Sequence, residues 1–329
     1  MNLRIIKAGM LDTIQDMGRY GWQHLGINPG GAMDKLSAKA ANILVGNNMN
    51  EALIELHFPA SAFFFEQPAL IVISGADFSA SVNGEEISCW QPVLVSKYSI
   101  LQFHGVKNGA RAYLAIHGGL EIPAWLNSFS THLKAGAGGY KGRALQKDDE
   151  ISLRSKINFA DIVGKKELEV LPWKIENYSE DNNSEEILIL SGNEWEQLTD
   201  ESKEKFLPQI FTITNQSDRM GYHLKSELLS TLTNEEIVSS AVSFGTVQLL
   251  PDGQLIVLMA DHQTTGGYPR VAHVISAHHS RLAQMKPGEQ IKFRFTDQQT
   301  AEELFIKQQQ HLLQLQNACK FKLDELLNK

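Results

Sequence analysis

Only two cysteines, Cys89 and Cys319, occur in the 329-residue chain. They lie far apart, form no Cys-x-x-Cys pair and are too few for a disulfide framework, so a scaffold stapled by disulfides is excluded. Both thiols are expected to be small buried groups in a reducing cytoplasm. Basic charge is also scarce, with 30 Lys and Arg against 38 Asp and Glu and a net charge of -8. The absence of a long basic block or of arginine interleaved with aromatics argues against a nucleic-acid partner. Long hydrophobic runs are missing as well. The most apolar stretch, residues 62–74, is interrupted by Glu66, Gln67 and Pro68 and falls short of the roughly 20 apolar residues a membrane helix needs. Met1 to Lys7 lacks the apolar core and small-residue cleavage site of a signal peptide and is read instead as a first strand. The expectation is a cytoplasmic protein without membrane association.

What is present suits a folded enzyme-sized protein. Hydrophobic residues at 43% and charged residues at 21% are ordinary for a globular chain long enough for two compact domains. Alternation over Phe78 to Val82 runs into Asn83-Gly84, a two-residue hairpin signal. A second hairpin is predicted where Val247–Leu250 and Leu255–Met259 flank Pro251-Asp252-Gly253-Gln254. Short strands also fit Pro92–Ser96, Ala112–His117, Glu150–Arg154, Glu186–Leu190 and Gln290–Phe295. Helical spacing marks Asp34 to Val45, stopped by Gly46. It also marks Thr300 to Leu327, where Leu304, Leu312, Leu315, Cys319, Leu323 and Leu326 form one face and Thr300 with Glu303 fits a capping box. The pattern predicts a mainly β protein with some α. An N-terminal β-rich lobe is expected over 1–155, a connecting segment over 156–184, a second β-rich lobe over 185–297 and a C-terminal helix over 298–329.

The densest chemistry is Asp261-His262-Gln263-Thr264-Thr265-Gly266-Gly267-Tyr268-Pro269-Arg270, directly after the apolar run Leu255–Met259. Acid, imidazole, amide, hydroxyl and cation should therefore emerge together at a strand end, with glycines allowing close backbone approach and N–H donation to an anion. Two shorter segments, Asp16-Met17-Gly18-Arg19-Tyr20 and Asp218-Arg219-Met220-Gly221-Tyr222, each join an acid to an arginine. An arginine there either holds a carboxylate or phosphate in its fork or makes a structural ion pair that fixes its loop. Gly30-Gly31-Ala32-Met33-Asp34 enters a helix, where free N–H groups suit an anion and Asp34 equally suits a cap. Lys134 to Arg143 is a basic, glycine-rich loop in which Lys141 and Arg143 suit a polyphosphate, although its order differs from a Walker A loop and its composition also fits a surface loop. Eleven histidines form no compact metal-ligand spacing, and no Gly-x-Ser-x-Gly elbow occurs, so neither a zinc site nor an α/β-type serine hydrolase is expected.

Five ordered blocks resemble the biotin-dependent carboxyltransferase-like family that contains allophanate hydrolase subunit 2, KipA and the C-type subunit of 5-oxoprolinase. They read TIQDMGRYGWQHLGI, GGAMDKLSAKAANILVGN, GARAYLAIHGGLEIP, SDRMGY and GTVQLLPDGQLIVLMADHQTTGGYPRVAHVISAHHSRLAQMKPGE, and run over nearly the full length. The family pattern places Arg where His262 stands, Ser where Gly30 stands and Arg where Phe129 stands. The resemblance implies two β-rich lobes, at least one a cyclophilin-like barrel, and a heteromeric life beside a KipI-like companion similar to the B-type subunit of 5-oxoprolinase. A lactam-utilisation protein similar to the A-type subunit is a further implied partner.

The leading activity it implies is ATP-dependent opening of 5-oxo-L-proline to L-glutamate, with no activity in the isolated chain. ATP would be bound by the complex, with Mg²⁺ its candidate companion and no covalent biotin, since no biotinyl-lysine module is present. The alternatives are a carboxyltransferase acting on urea or a related amide with biotin supplied in trans, and a non-enzymatic KipA-like antagonist of a kinase-inhibitor partner. Under the leading reading Asp261, Asp16 and Asp218 are the catalytic candidates, for base or metal roles. Arg19, Arg219 and Arg270 are candidates for substrate carboxylate or phosphate, joined by Gly30, Gly31, Asp34, Lys141 and Arg143. His262, Gln263, Thr264 and Thr265 would orient the lactam, with Gly266 and Gly267 donating from the backbone.

Overall fold

The computed structural model describes residues 2–155, 159, 166–175, 186–233 and 237–327. The chain divides into two compact units, the first made of Met1–Arg19, Asp34–Tyr178 and Gln310–Lys329, the second of Tyr20–Met33 and Ser179–Gln309.

Among the described residues the first unit holds two six-stranded sheets. One runs in the order Glu150–Ser152, Asn2–Lys7, Ala62–Phe65, Ser99–Phe103, Ala80–Val82, Glu85–Glu86. The other runs Leu168–Val170, Val93–Val95, Ala69–Asp77, Asn108–Ile116, Leu53–Leu56, Thr13–Gln15. Leu3 and Ile5 of one sheet and Ile71 and Ile73 of the other enter a common buried core, as period-two alternation requires. Leu70 and Val72 are buried too, although they point the opposite way. Helix Lys35–Leu44 covers that second face, with Ser74 Oγ donating to the Ser37 carbonyl at 2.8 Å, and this explains why residues 69–73 form an apolar run rather than an alternating one.

Both predicted hairpins form. Val82 pairs with Glu85 across Asn83 and Gly84, whose φ values of 51° and 88° are the two positive angles a tight two-residue turn needs. Leu249 pairs with Leu255, and Gly253 turns the chain at φ 80°. The predicted connecting segment contains a strand: Leu168–Val170 pairs antiparallel with Val93–Val95 at the edge of the first unit. Positions 156–158, 160–165 and 176–184 of that segment lie outside the described residues.

The second unit is a closed seven-stranded barrel in the order Glu186–Ser191, Arg270–Val274, Thr246–Leu249, Leu255–Leu258, Gly221–Lys225, Phe211–Ile213, Gln290–Phe295. It closes through parallel pairing of Glu186–Ile189 with Lys292–Phe295. Closure leaves the barrel sheet itself without a free edge. Phe206, Phe211 and Phe293 pack inside with ring centroids 5.1 to 5.7 Å apart. Residues 20–33, expected from the sequence in the first lobe, belong with this barrel. Met33 joins its core, and Asn28 and Gly31 bond to residues 233 and 188 positions away. No local pattern announces contacts of that range.

The last helix spans Gln298–Leu327. Its cap is Asp297 rather than the predicted Thr300, because the Asp297 carboxylate accepts both the Thr300 N–H and its hydroxyl at 2.8 Å. Leu312, Cys319 and Leu323 of the predicted apolar face are buried, and Leu323 lies against Gly46 in the first unit. Burial pushes the Cys319 thiol up to about 11 and, with Asp77 adding to it, the Cys89 thiol to about 12, as expected of inert thiols. Among the described residues no helix is long and apolar enough to cross a membrane.

Candidate functional site

The residues singled out by their chemistry fall into two groups, one in each unit. In the barrel unit the strand Leu255–Leu258 ends where Met259 and Ala260 are still buried, and Asp261 opens the polar segment. The Arg219 guanidinium grips Asp261 through Nε to Oδ2 at 2.9 Å and Nη2 to Oδ1 at 3.2 Å. Its Nη2 also donates to the Gly31 carbonyl at 2.6 Å, and Asn28 Nδ2 donates to the Asp261 carbonyl at 3.0 Å. Asp218, Arg219, Gly31 and Asp261 are thus brought together, with Arg219 and Asp261 engaged by each other. Asp218 is exposed and accepts the Met220 N–H at 2.7 Å, which shapes the loop that presents Arg219. Gly30 and Gly31 sit at φ 61° and 97°, a turn that needs glycine.

His262 is buried, and its Nδ1 lies 2.6 Å from the Gln263 carbonyl. A carbonyl can only accept, so Nδ1 carries the hydrogen. Gln263 Nε2 is 3.4 Å from Oε1 of Gln248, a buried side chain whose own amide donates to the Tyr268 carbonyl at 3.3 Å. Thr265 and Gly266 pair as a short ribbon with Ser240 and Ala241, and the Thr264 carbonyl accepts from Val242 N. Neither Gly266 nor Gly267 has positive φ. At 266 an added Cβ would fall 2.6 Å from Gln248 Nε2, the far end of that side chain, so glycine there leaves room for Gln248. Gly267 lies in the same tight corner, with Ile237 O 3.1 Å from its would-be Cβ.

At the far end of the segment Arg270 is clasped by Glu194. Nε reaches Oε2 at 2.9 Å, Nη2 reaches Oε1 at 2.7 Å and the Arg270 backbone N–H reaches Oε2 at 2.9 Å. Glu194 N donates back to the Arg270 carbonyl at 3.2 Å. These bonds hold the Glu194 carboxyl below its usual range and raise the Arg270 guanidinium above its own. Burial, with the nearby Arg270 charge, lowers the neighbouring His273.

In the first unit Asp16 is buried inside a nest of donors. Gly18 N and Ser128 Oγ reach its Oδ1 at 2.7 Å, Phe129 N reaches Oδ2 at 2.6 Å, and the Ser130 hydroxyl also donates. Arg19 donates to the Ser130 carbonyl and stacks 4.8 Å over the Trp125 ring. Arg154 lies over the Phe129 ring, 5.9 Å from its centroid. The glycine-rich loop packs against the same strip: a Cβ at Gly138 would fall 2.2 Å from Ser130 O, and one at Gly139 would fall 1.9 Å from Thr131 Oγ1. Arg143 forms a two-bond pair with Asp149, both contacts at 2.7 Å, while the exposed Lys141 sits 3.8 Å from the same carboxylate. Asp34 caps its helix, accepting from Ser37 N at 3.0 Å, and its own N–H donates to Tyr113 Oη at 2.8 Å. Tyr113 in turn donates to Glu55 at 2.9 Å.

Among the described residues no group of three or more His, Cys, Asp or Glu is arranged to hold a metal ion. Three partners escaped the sequence reading: Glu194, Gln248 and Asp149. Each is an ordinary polar residue in an unremarkable local context, and only tertiary pairing gives it a role. The two Asp/Arg segments carried a hint of theirs. In each the Asp accepts an N–H two residues on, and the Arg reaches a distant carbonyl.

The full length can be compared with known proteins. The C-type subunit of 5-oxoprolinase from Haemophilus influenzae is 35% identical over 303 residues, which is 92% of this chain and 94% of that protein. The Escherichia coli protein of the same name is 35% identical over 292 residues, covering 88% of this chain and 90% of that one. The crystal structure of Kluyveromyces lactis urea amidolyase superposes with a TM-score of 0.85 at 24% identity, over 95% of this chain and 20% of that one, a likeness of fold. Residues 25–295 match the family described as carboxyltransferase domain, subdomain A and B, and the chain belongs to that family.

Proposed function

We propose that the chain is one component of a heteromeric 5-oxoprolinase that opens 5-oxo-L-proline to L-glutamate at the expense of ATP. The observation that carries the reading is end-to-end similarity to two bacterial proteins named as the C-type subunit of 5-oxoprolinase, covering 94% and 90% of their lengths. A lactam carbonyl is a poor electrophile because of amide resonance. Phosphoryl transfer from ATP to its oxygen, releasing ADP, activates the ring carbon; water adds there, the C–N bond breaks to leave a free amine and an acyl phosphate, and a second water hydrolyses the acyl phosphate to phosphate and glutamate. ATP is a substrate of this reaction, bound by the complex.

The part assigned to this chain is to hold and orient the lactam along Gln263–Arg270. Gln263 and the exposed Thr265 offer neutral hydrogen bonds and Arg270 a cation. Asp261 and Arg219 are engaged by each other, and Asp16 by hydroxyl and N–H donors, so we assign these three to building their loops rather than to proton transfer. The reading is tested by mixing the purified chain with its companions, the KipI-like protein and the lactam-utilisation protein, and assaying glutamate release from 5-oxoproline. Each component alone is expected to be silent. The carboxyltransferase description of the family supports a second reading, carboxylation of urea or a related amide by carboxybiotin delivered from another protein. Product formation that requires a biotinylated carrier and bicarbonate would select it.

A further inference from the structure

Arg270 and Glu194 form a clasp whose open side defines a ligand class. A guanidinium has five N–H groups. Glu194 takes Nε–H and one Nη2–H, and the Ala241 carbonyl takes one Nη1–H at 3.4 Å. Among the described residues the remaining two, one on each terminal nitrogen, have no acceptor, and the side chain keeps 16% of its surface exposed. The clasp is locked from behind: the Arg270 backbone accepts from and donates to Glu194, and a Cβ at Gly192 would fall 1.9 Å from the Arg270 carbonyl. Beside it runs the ribbon of Ser240–Ala241 with Thr265–Gly266. There the Ser240 hydroxyl is shielded from solvent and, among the described residues, makes no hydrogen bond. A fixed fork with one donor on each tip matches the two oxygens of a carboxylate.

We infer that Glu194 is a positioning residue that presents the outer edge of Arg270 to the carboxylate of the substrate, and so sets the preference for a carboxylated lactam over a plain one. The inference rests on the 5-oxoprolinase reading for the identity of the lactam. Because Glu194 balances the charge of Arg270, selection comes from the direction of two N–H bonds more than from net attraction. A glutamine at 194 keeps one acceptor and loses the paired grip, leaving the guanidinium free to rotate.

The test compares 5-oxoproline with 2-pyrrolidinone, the same ring without the carboxylate, in the complex of the full chain with its companion subunits. The ratio of kcat/KM for the two lactams is expected to fall about tenfold in Glu194→Gln, the loss of one charge-assisted bond, and by a similar factor in Arg270→Lys, which keeps the charge without the fork. A general structural defect lowers both substrates together and leaves the ratio unchanged, and that result overturns the inference. Calorimetric titration of the same complex with 5-oxoproline separates this inference from the reading it rests on. Binding about tenfold weaker in the variants, without any ATP turnover in the wild type, sustains the carboxylate site and removes the oxoprolinase assignment. Turnover with an unchanged lactam ratio does the reverse, and absence of 5-oxoproline binding to the wild-type complex overturns the site.

Discussion

Arg219 and Asp261, forty-two positions apart, meet as a two-bond ion pair, Nε to Oδ2 at 2.9 Å and Nη2 to Oδ1 at 3.2 Å, with little of either side chain exposed. Removing one partner leaves the other charge shielded from water. Arg219→Ala and Asp261→Ala are each expected to lower the unfolding free energy by about 3 kcal/mol. The double substitution should cost clearly less than the sum of the two, as coupled neighbours do. Urea unfolding of the four proteins measures this, and additive losses would contradict the pairing.

Asp16 supports a further prediction. Its carboxylate is met by Gly18 N, Phe129 N and the hydroxyls of Ser128 and Ser130. Asp16→Ala strands these donors and is expected to cost about 2 to 4 kcal/mol, whereas Ser128→Ala removes one of them at about 1 kcal/mol. Thermal unfolding ranks the two variants, and equal shifts would show that the nest is not organised around Asp16.

Much of the fold was legible because local rules decided it. The Asn83-Gly84 turn, the hairpin at residues 251–254 and the helix opened by Asp34 each follow from turn chemistry or capping. The candidate site was legible as residue types but not as partnerships. Arg19, Arg219 and Arg270 look alike in sequence, yet one reaches a carbonyl and stacks on Trp125, one grips Asp261, and one is clasped by Glu194 with donors to spare. Those outcomes depend on residues tens of positions away. The same limit hid the membership of residues 20–33 in the barrel unit, whereas the cap at Asp297 is a local contact three residues before Thr300 that competes with the Thr300–Glu303 capping-box pattern.

Glycines in two of the motifs are expected to respond differently to a methyl group. Gly138 has φ 67°, and an added Cβ meets the Ser130 backbone carbonyl at 2.2 Å. Gly138→Ala should therefore cost about 3 kcal/mol or more. Gly266 lacks positive φ, and its Cβ would meet the far end of the Gln248 side chain, so Gly266→Ala should cost about 1 kcal/mol or less while displacing Gln248 from Tyr268 and Gln263. Differential scanning calorimetry checks the order, and a larger loss at Gly266 would contradict it.

Asp12 gives a pH dependence with a definite sign. Burial raises its carboxyl from 3.8 to about 6, despite bonds from His57 N at 2.8 Å and Ser61 N at 2.6 Å, and Glu55 adds to the rise. The folded state therefore holds the proton more tightly than the unfolded chain. Its stabilising contribution is complete below about pH 4 and is lost as pH rises through about 6. The stability of wild type minus that of Asp12→Asn should fall by about 3 kcal/mol across that window. A flat difference, or one that rises with pH, would refute the assignment.

The proposed lactam-opening role is tested most directly by the stoichiometry of ATP hydrolysed to glutamate formed when the chain and its companion subunits are given 5-oxo-L-proline. The predicted result is coupled release of ADP and glutamate that needs all of the components together and is indifferent to avidin. No 5-oxoproline-dependent ATP turnover with any companion, or turnover that appears only with a biotinylated carrier and bicarbonate, would contradict it.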